Sequence, residues 1–353
     1  MKFPPAPFRS GIRSRYGHGC WWVAIAAAML LGGCAREPKS GAPGTAGAPP
    51  RTAIRLQTDW YPQAEHGGFY QALAKGFYAE AGLDVTILPG GPGPRTPQKV
   101  IGGAADIAMY RSDDIIVHAA TGLPFVFLAA FMQHDPQAIL VHDSSPVRTF
   151  ADLDGKSVMA IPGSNWIQYL QQRYDISFRL VPLNWGIAQF LADKTFIQQC
   201  FITNEPYYVR QQGAQPRTLL IAGSGYDPYR GLFTTQRFWR ENREAVRAFV
   251  AASLRGWEDF MTGDPTPAKK LIAARNEQMT DEFMDYSIAA MRDHELVHGD
   301  PARGERLGLI TRERLEAQVR LLVELKILTE PIALERFVAF DALPDELQAA
   351  SGR

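Results

Sequence analysis

The chain has 353 residues, sets 37 Lys and Arg against 37 Asp and Glu, and is 46% hydrophobic. That balance, with no basic patch, argues against a nucleic-acid partner, and no solenoid repeat period is present. About 300 residues remain once the N-terminal segment is set aside, enough for two lobes.

Lys2, Arg9, Arg13 and Arg15 precede an apolar run over 21–31 that ends in Gly32-Gly33-Cys34. A charged start, an apolar stretch and a small-residue site predict a secretory signal over 1–33. The run is shorter than the ~20 apolar residues that a membrane-spanning helix needs. Leu31-Gly32-Gly33-Cys34 resembles the lipobox of bacterial lipoproteins. This implies an acylated Cys34 as the mature N-terminus, anchored to a membrane on its periplasmic or extracellular side. Residues 34–52 then form the lipidated cysteine and a Gly/Ala/Pro tether. Loss of the signal leaves 33 basic against 37 acidic groups, a net charge of −4. Cys20 departs with the signal and Cys34 takes the lipid, so Cys200 has no disulfide partner. Its neighbours Gln198, Gln199, Phe201 and Ile202 supply no activating base or cation, which predicts a buried, inert thiol.

The folded part opens with a strand over 53–58. A helix over 69–75 comes next, with Tyr70, Leu73 and Phe77 on one face; Gly76 and Gly82 interrupt it before a strand over 85–88. Then come a helix over 96–102 and a strand over 107–110. Ser112 offers an N-cap, and Asp113 and Asp114 suit the positive end of a helix that reaches Ala120. Strands over 125–130 and 139–142 complete the first stretch. The middle repeats the scheme, with strands over 158–161, 178–182 and 200–203 and helices over 165–174 and 187–192. Asn204 caps a further helix that opens with Glu205 and Pro206. Strands over 219–222 and 232–235 precede a helical tail over 243–262, 267–275, 281–294 and 312–326, the last capped by Thr311. The alternation predicts an α/β fold with mostly parallel sheets covered by helices on both faces, the tail folding back on the first lobe.

In open α/β sheets, ligands bind beyond the carboxyl ends of the strands. Those ends carry Asp59, Trp60 and Tyr61, with Glu65 and His66 close behind, then Arg111, Ser112 and Asp113. In the middle they carry Gly163, Ser164, Asn165 and Trp166, then Asn184 and Trp185, then Asn204, Glu205, Tyr207 and Tyr208, then the stretch with Tyr226 and Asp227. Each has a structural alternative. Trp60 can plug a sheet end and Asp59 can form a turn. His66, Ser164 and Glu205 suit helix starts, while Trp166 and Trp185 suit a core. Two ligand chemistries fit the set. A planar heterocycle would lie between rings, with Asp59 and Glu205 accepting from its amino groups. A small anion would take backbone N–H groups at Gly163-Ser164 and Ser112, with Arg111 as counter-charge. The abundance of rings favours the heterocycle.

The segment "LQTDWYPQAEHGGFYQALAKGFYAEAGLDVTIL", with "PGGP", "GAADIAM", "FADLDGKSV" and "FITNEPY" after it, resembles the bacterial substrate-binding proteins of ABC importers. The group in question binds sulfonates, nitrate, taurine and thiamine-pyrimidine precursors, and it includes the fungal thiamine-pyrimidine synthase. The resemblance runs from about residue 54 to residue 340. It implies the type II periplasmic-binding fold, with lobe one over 53–142 and 236–345 and lobe two over 143–235. A two-strand hinge near 139–142 and 232–235 would join them. "DWYPQAEHGGFY" is most similar to the pyrimidine-precursor branch, which implies ligand contacts from Asp59, Trp60 and His66 on lobe one and Glu205 on lobe two. Also implied are a monomer, an ABC permease and its ATPase as partners, and neither catalysis nor a cofactor. One alternative is a binder of an alkyl sulfonate, taurine or nitrate, for which Ser164 speaks. Another is an enzyme resembling the synthase, which uses its own histidine, pyridoxal phosphate on a lysine and iron at a cysteine-rich motif. Against the enzyme, one cysteine comes after Cys34, "PGGPGPR" replaces a longer glycine-rich motif, and the lysine nearest His66 in sequence is Lys75.

Overall fold

The computed structural model describes residues 51–93 and 95–352. The expected signal, the lipidated Cys34 and the tether as far as residue 50 lie outside the described residues. The strands, in chain order, are β1 (Thr52–Gln57), β2 (Leu83–Leu88), β3 (Ile107–Arg111), β4 (Phe125–Met132), β5 (Gln137–His142), β6 (Ser157–Ala160), β7 (Arg179–Pro182), β8 (Ile197–Phe201), β9 (Pro216–Leu220) and β10 (Arg230–Thr235). They form two sheets of five, ordered β2-β1-β3-β10-β4 and β7-β6-β8-β5-β9.

In each sheet four strands share a direction and one is reversed. β10 pairs antiparallel with both β3 and β4, and β5 antiparallel with both β8 and β9. The remaining pairings, β1 with β2 and β3, and β6 with β7 and β8, are parallel. The chain crosses from the first sheet to the second between β4 and β5 and returns between β9 and β10. β5, counted with the first lobe from sequence, therefore pairs within the second sheet, and β10, counted with the second lobe over 143–235, pairs within the first. Every residue of β4 and of β5 is buried, and a strand buried on both faces carries no mark of which sheet it joins.

A reversed strand begins where its neighbours end. Arg230, the first residue of β10, stands opposite Arg111 and Met132, and Gln137, the first of β5, stands opposite Phe201. Both crossing segments, 133–136 and 221–229, thus run along the carboxyl edges of the sheets, where ligands bind in open α/β folds.

The elements otherwise obey the chain's own signals. The helix Gly67–Ala74 packs along the helix Arg243–Thr262, and the contact is made by glycine. A Cβ on Gly68 would lie 2.1 Å from the Trp257 ring, and one on Gly256 would lie 2.3 Å from the Gly68 carbonyl oxygen. The tail helices Asp281–Asp293 and Arg312–Glu324 stand where periodicity predicts, and they touch the second sheet as well. Tyr286 Oη donates to the Ile202 carbonyl and Ser287 Oγ to that of Thr203, both at 2.8 Å. Leu325 is buried in the second sheet's own core with Val141, Val158 and Trp166. The strand expected over 219–222 ends at Leu220 and turns into a short 3-10 helix, Ile221–Ser224. Helices Phe77–Glu80, Gln236–Glu241 and Asp345–Ser351 are too short for a periodic signal. Among the described residues no helix is long and apolar enough to cross a membrane.

Candidate functional site

The turn after β1 is braced by the loop after β2. Thr58 Oγ1 donates to the Trp60 carbonyl at 2.9 Å, and the Gly90 amide donates to the same oxygen at 2.9 Å. A Cβ on Gly90 would come within 2.6 Å of the backbone of Thr58, Asp59 and Trp60, so only glycine allows this approach. The "PGGP" stretch therefore shapes the Asp59–Trp60 turn.

Held in that turn, Asp59 accepts hydrogen bonds from Arg230 and, at 3.1 Å, from His66 Nε2. Burial would raise its carboxyl, but the Arg230 guanidinium and His66 outweigh burial and hold it at about 2. The His66 ring is fully buried, and its Nδ1 has no hydrogen-bond partner among the described residues. Next to His66 in the chain, Glu65 accepts from Thr203 Oγ1 of the facing sheet at 2.5 Å and from Gln63 Nε2 at 2.5 Å. Burial pushes the Glu65 carboxyl up.

The rings gather at the rim. Trp60 lies 4.8 Å from Trp185, ring centre to ring centre, with a 33° tilt, and Tyr61 meets Trp60 edge-on at 5.5 Å. Tyr61 and Trp185 are 47% and 43% exposed, unusual for side chains of this size. Trp185 also has a φ of +61°, a backbone conformation that costs of the order of 1–3 kcal/mol outside glycine. The Asn184 side chain supports it by accepting from the Gly186 amide at 3.1 Å and donating to Gln189 at 3.0 Å. Trp166, by contrast, is wholly buried in the core of the second sheet.

A second cross-sheet contact forms at β3. Asp113 Oδ2 accepts from Asn165 Nδ2 at 2.9 Å and from Tyr226 Oη at 2.5 Å. Arg111 donates from Nε and Nη2 to Asp114 at 3.0 and 2.8 Å and lies 3.5 Å from Asp113 Oδ1. Burial pushes Asp114 up to about 6, with Arg111 opposing and Asp113 adding to the rise.

Asp59, Trp60, Tyr61, His66 and Trp185 are thus brought together, and Arg111 and Tyr226 meet around Asp113. Ser112 and Glu205 point elsewhere. The Ser112 hydroxyl donates to Gln318 at 2.6 Å and accepts from the Tyr229 amide at 3.0 Å. Glu205 turns back on its own strand to accept from the Phe201 amide at 2.8 Å, and burial pushes its carboxyl up to about 6. Gly163, with φ +81°, leads into Ser164, which stands at the N-cap of the helix Asn165–Tyr174 without a capping bond. Asn204 holds the same place for the helix Glu205–Gln211, also without one. Lys75 pairs with Asp259 at 2.8 Å. Cys200 is buried, and burial pushes its thiol up well above the usual range.

Two central residues were not singled out from sequence. Arg230 donates to Asp59, lies 3.6 Å from Asp135 and stands 5.5 Å over the Phe201 ring of the second sheet. Asp135 sits on the first crossing segment. Arg230 opens a reversed strand and so escapes the rule of strand carboxyl ends, whereas Asp135, in the Gln133-His134-Asp135 stretch directly after β4, satisfies it. Between the facing carboxyl edges of the two sheets, Asp59, Glu65, Asp113, Asp114 and Asp135 stand against Arg111 and Arg230. Carboxylates therefore outnumber guanidiniums, and the surroundings favour hydrogen-bond donors or positive charge over anions. Among the described residues no group of three or more His, Cys, Asp or Glu is placed to hold a metal ion.

Comparison with known proteins places these features in context. The family model described as NMT1/THI5 like matches residues 63–268. The chain is 25% identical over 233 residues to the riboflavin-binding protein RibY of Chloroflexus aurantiacus, covering 62% of this chain and 66% of that one, just under two thirds. It is 24% identical over 244 residues to the formylaminopyrimidine-binding protein of Halalkalibacterium halodurans, covering 64% and 71%. Its fold is similar to that of the periplasmic aliphatic sulphonate binding protein SsuA from Escherichia coli, with a TM-score of 0.62 and 17% identity over 83% of this chain and 92% of that one. The two mixed five-stranded sheets with flanking helices are the periplasmic-binding fold that the sequence motifs imply.

Proposed function

Since the chain belongs to the NMT1/THI5-like family, we propose that it is the solute-binding component of an ABC importer, taking a small, amino-bearing aromatic heterocycle similar to a thiamine-pyrimidine precursor. It would be exported, anchored through Cys34, and would deliver its solute as a monomer to a permease and its ATPase. The observation that carries the proposal is the Trp60–Trp185 pair, one ring from each side of the crevice, above a floor rich in carboxylates. Rings stack with their planes about 3.5 Å apart, and aromatic centroids pair at about 4.5–7 Å. A heterocycle sandwiched between Trp60 and Trp185 would separate them to about 7 Å, so entry requires the two sides to part and closure comes after binding. The crossing segments 133–136 and 221–229 are the natural hinge, with lobe one built on the first sheet and lobe two on the second. Binding energy that favours the closed form drives that change, and catalysis is not involved.

The names of two relatives agree with this, since a flavin and a formylaminopyrimidine are both planar heterocycles. A sulfonate, taurine or nitrate fits less well. Arg111 is already bound to Asp114, the Ser112 hydroxyl is engaged, and nearby carboxylates repel an anion. An enzyme resembling the synthase also fits less well, because Lys75 is engaged with Asp259 and the His66 ring is enclosed.

A thermal-shift panel of aminopyrimidines, thiamine, riboflavin, alkyl sulfonates, taurine and nitrate tests the proposal. A ligand at a hundred times its dissociation constant stabilises by about 2.7 kcal/mol, well within reach of the method. The expected response is to an aminopyrimidine. A response confined to sulfonates, taurine or nitrate overturns the assignment.

A further inference from the structure

Asp135 is 3% exposed and its position is set by backbone contacts. Its amide donates to Asp227 Oδ1 at 3.1 Å, and its own Oδ1 accepts from the Gln137 amide at 2.9 Å. The second oxygen, Oδ2, is buried and makes no hydrogen bond among the described residues. Its nearest cation is Arg230 Nη1 at 3.6 Å, close enough to balance charge but too long for a hydrogen bond. Nη2 of the same guanidinium is engaged by Asp59. A buried acceptor without a donor costs about 1–3 kcal/mol, more when charged. The fold does not require that oxygen, since the Gln137 contact uses the other one. Arg230 thus ties Asp59 and Asp135 into one unit, in which each Asp59 oxygen has a donor, from His66 and Arg230, and Asp135 Oδ2 has none.

We infer that Asp135 is a specificity-determining residue of the crevice, its Oδ2 accepting a hydrogen bond from an exocyclic amino group of the solute. This rests on the heterocycle-binding function proposed above and adds which edge of the ring is read. Burial pushes the Asp135 carboxyl up, with Arg230 and Arg111 opposing, and in its ionised form the group only accepts. It welcomes an amino substituent and faces an oxo substituent lone pair to lone pair. Sites built around such a hydrogen bond reject the mismatched analogue far more strongly than apolar contacts do.

The test is titration calorimetry at pH 8 on the purified full chain, with 4-amino-2-methylpyrimidine, its 4-oxo counterpart and taurine. Wild type is expected to bind the amino compound at least tenfold more tightly than the oxo compound. Asp135→Asn is expected to lose at least tenfold for the amino compound, with the amino-to-oxo ratio falling toward one or inverting, because the amide can donate. Trp60→Ala is expected to weaken both compounds alike and leave the ratio as it was. Should Asp135→Asn not fold cooperatively, Asp135→Ser keeps an oxygen for the Gln137 amide and is expected to lose the ratio in the same way. A wild type that binds the two pyrimidines equally, or an Asp135 variant that keeps the wild-type ratio, overturns the role of Asp135 and leaves the heterocycle assignment standing. A wild type that binds taurine and neither pyrimidine overturns both.

Discussion

Trp60 and Asp59 are adjacent in sequence and do different work. Trp60 is half-buried, touches Trp185 across the crevice and contributes little to either core. Trp60→Ala is therefore expected to lower solute affinity by tenfold or more while moving the thermal midpoint by only a degree or two, in line with the ~1 kcal/mol that aromatic pairs add beyond area. Calorimetry and thermal melts on one preparation check both halves, and wild-type affinity in the variant means the ring only caps its sheet. Asp59 is held at about 2 in the folded chain, below the ~3.9 of an unperturbed aspartate. Its contribution to stability is complete above about pH 4 and is lost as pH falls toward 2, on the order of 2 kcal/mol in all. Asp59→Asn should thus be less stable than wild type at pH 7, and the gap should close by pH 2. Urea midpoints across pH 2–7 measure this, and a gap that does not narrow on acidification refutes the Asp59–Arg230 account.

The strand, turn and helix over residues 52–74 present two different faces. "DW" faces the crevice, whereas the glycines of "HGG" face away from it, against Trp257 and Phe260. Here they let two helices meet backbone to backbone, with Gly256 opposite Gly68. Gly68→Ala is expected to overpack that contact and cost about 1–3 kcal/mol, read as a lower thermal midpoint, with solute affinity changing far less. An unchanged midpoint would mean the helices slide apart freely. β5 and β10 teach the complementary lesson. Their residues were legible as strands, but their direction was not, because apolar content does not encode polarity of pairing. Arg230 went unnoticed for that reason, whereas Asp135, shortly after β4, was within reach of the strand-end rule.

Across the whole molecule, the two sheets meet through few polar contacts. Thr203 donates to Glu65, and Asn165 and Tyr226 donate to Asp113. The crossing segments are tied to each other as well. His134 lies between Asp227 at 2.5 Å and Glu305 at 2.9 Å, and Arg314 reaches Asp227 at 3.0 Å. Each net hydrogen bond contributes ~1 kcal/mol. Removing two at once with Asn165→Ala and Thr203→Ala should favour the open arrangement, enlarging the solution radius of gyration without solute and weakening binding on the order of tenfold. Small-angle scattering with and without solute checks this, and identical scattering from variant and wild type would show that these bonds do not govern closure.

The chain's composition and periodicity alone determined the α/β class, the order of nearly every element and the gathering of rings and carboxylates at strand ends, since those arise from local spacing and from turn and cap chemistry. Asp59, Trp60 and Trp185 were legible because each comes directly after a strand. Tertiary structure alone decided that β5 and β10 run backwards, that Arg230 and Asp135 therefore join Asp59, and that Ser112 and Glu205 turn to internal partners instead. The physical reason is common to all of these. A side chain's partner is chosen by which edge of which sheet its backbone reaches, and that depends on pairings between distant segments, 171 residues apart for Asp59 and Arg230 and 206 for Ser112 and Gln318.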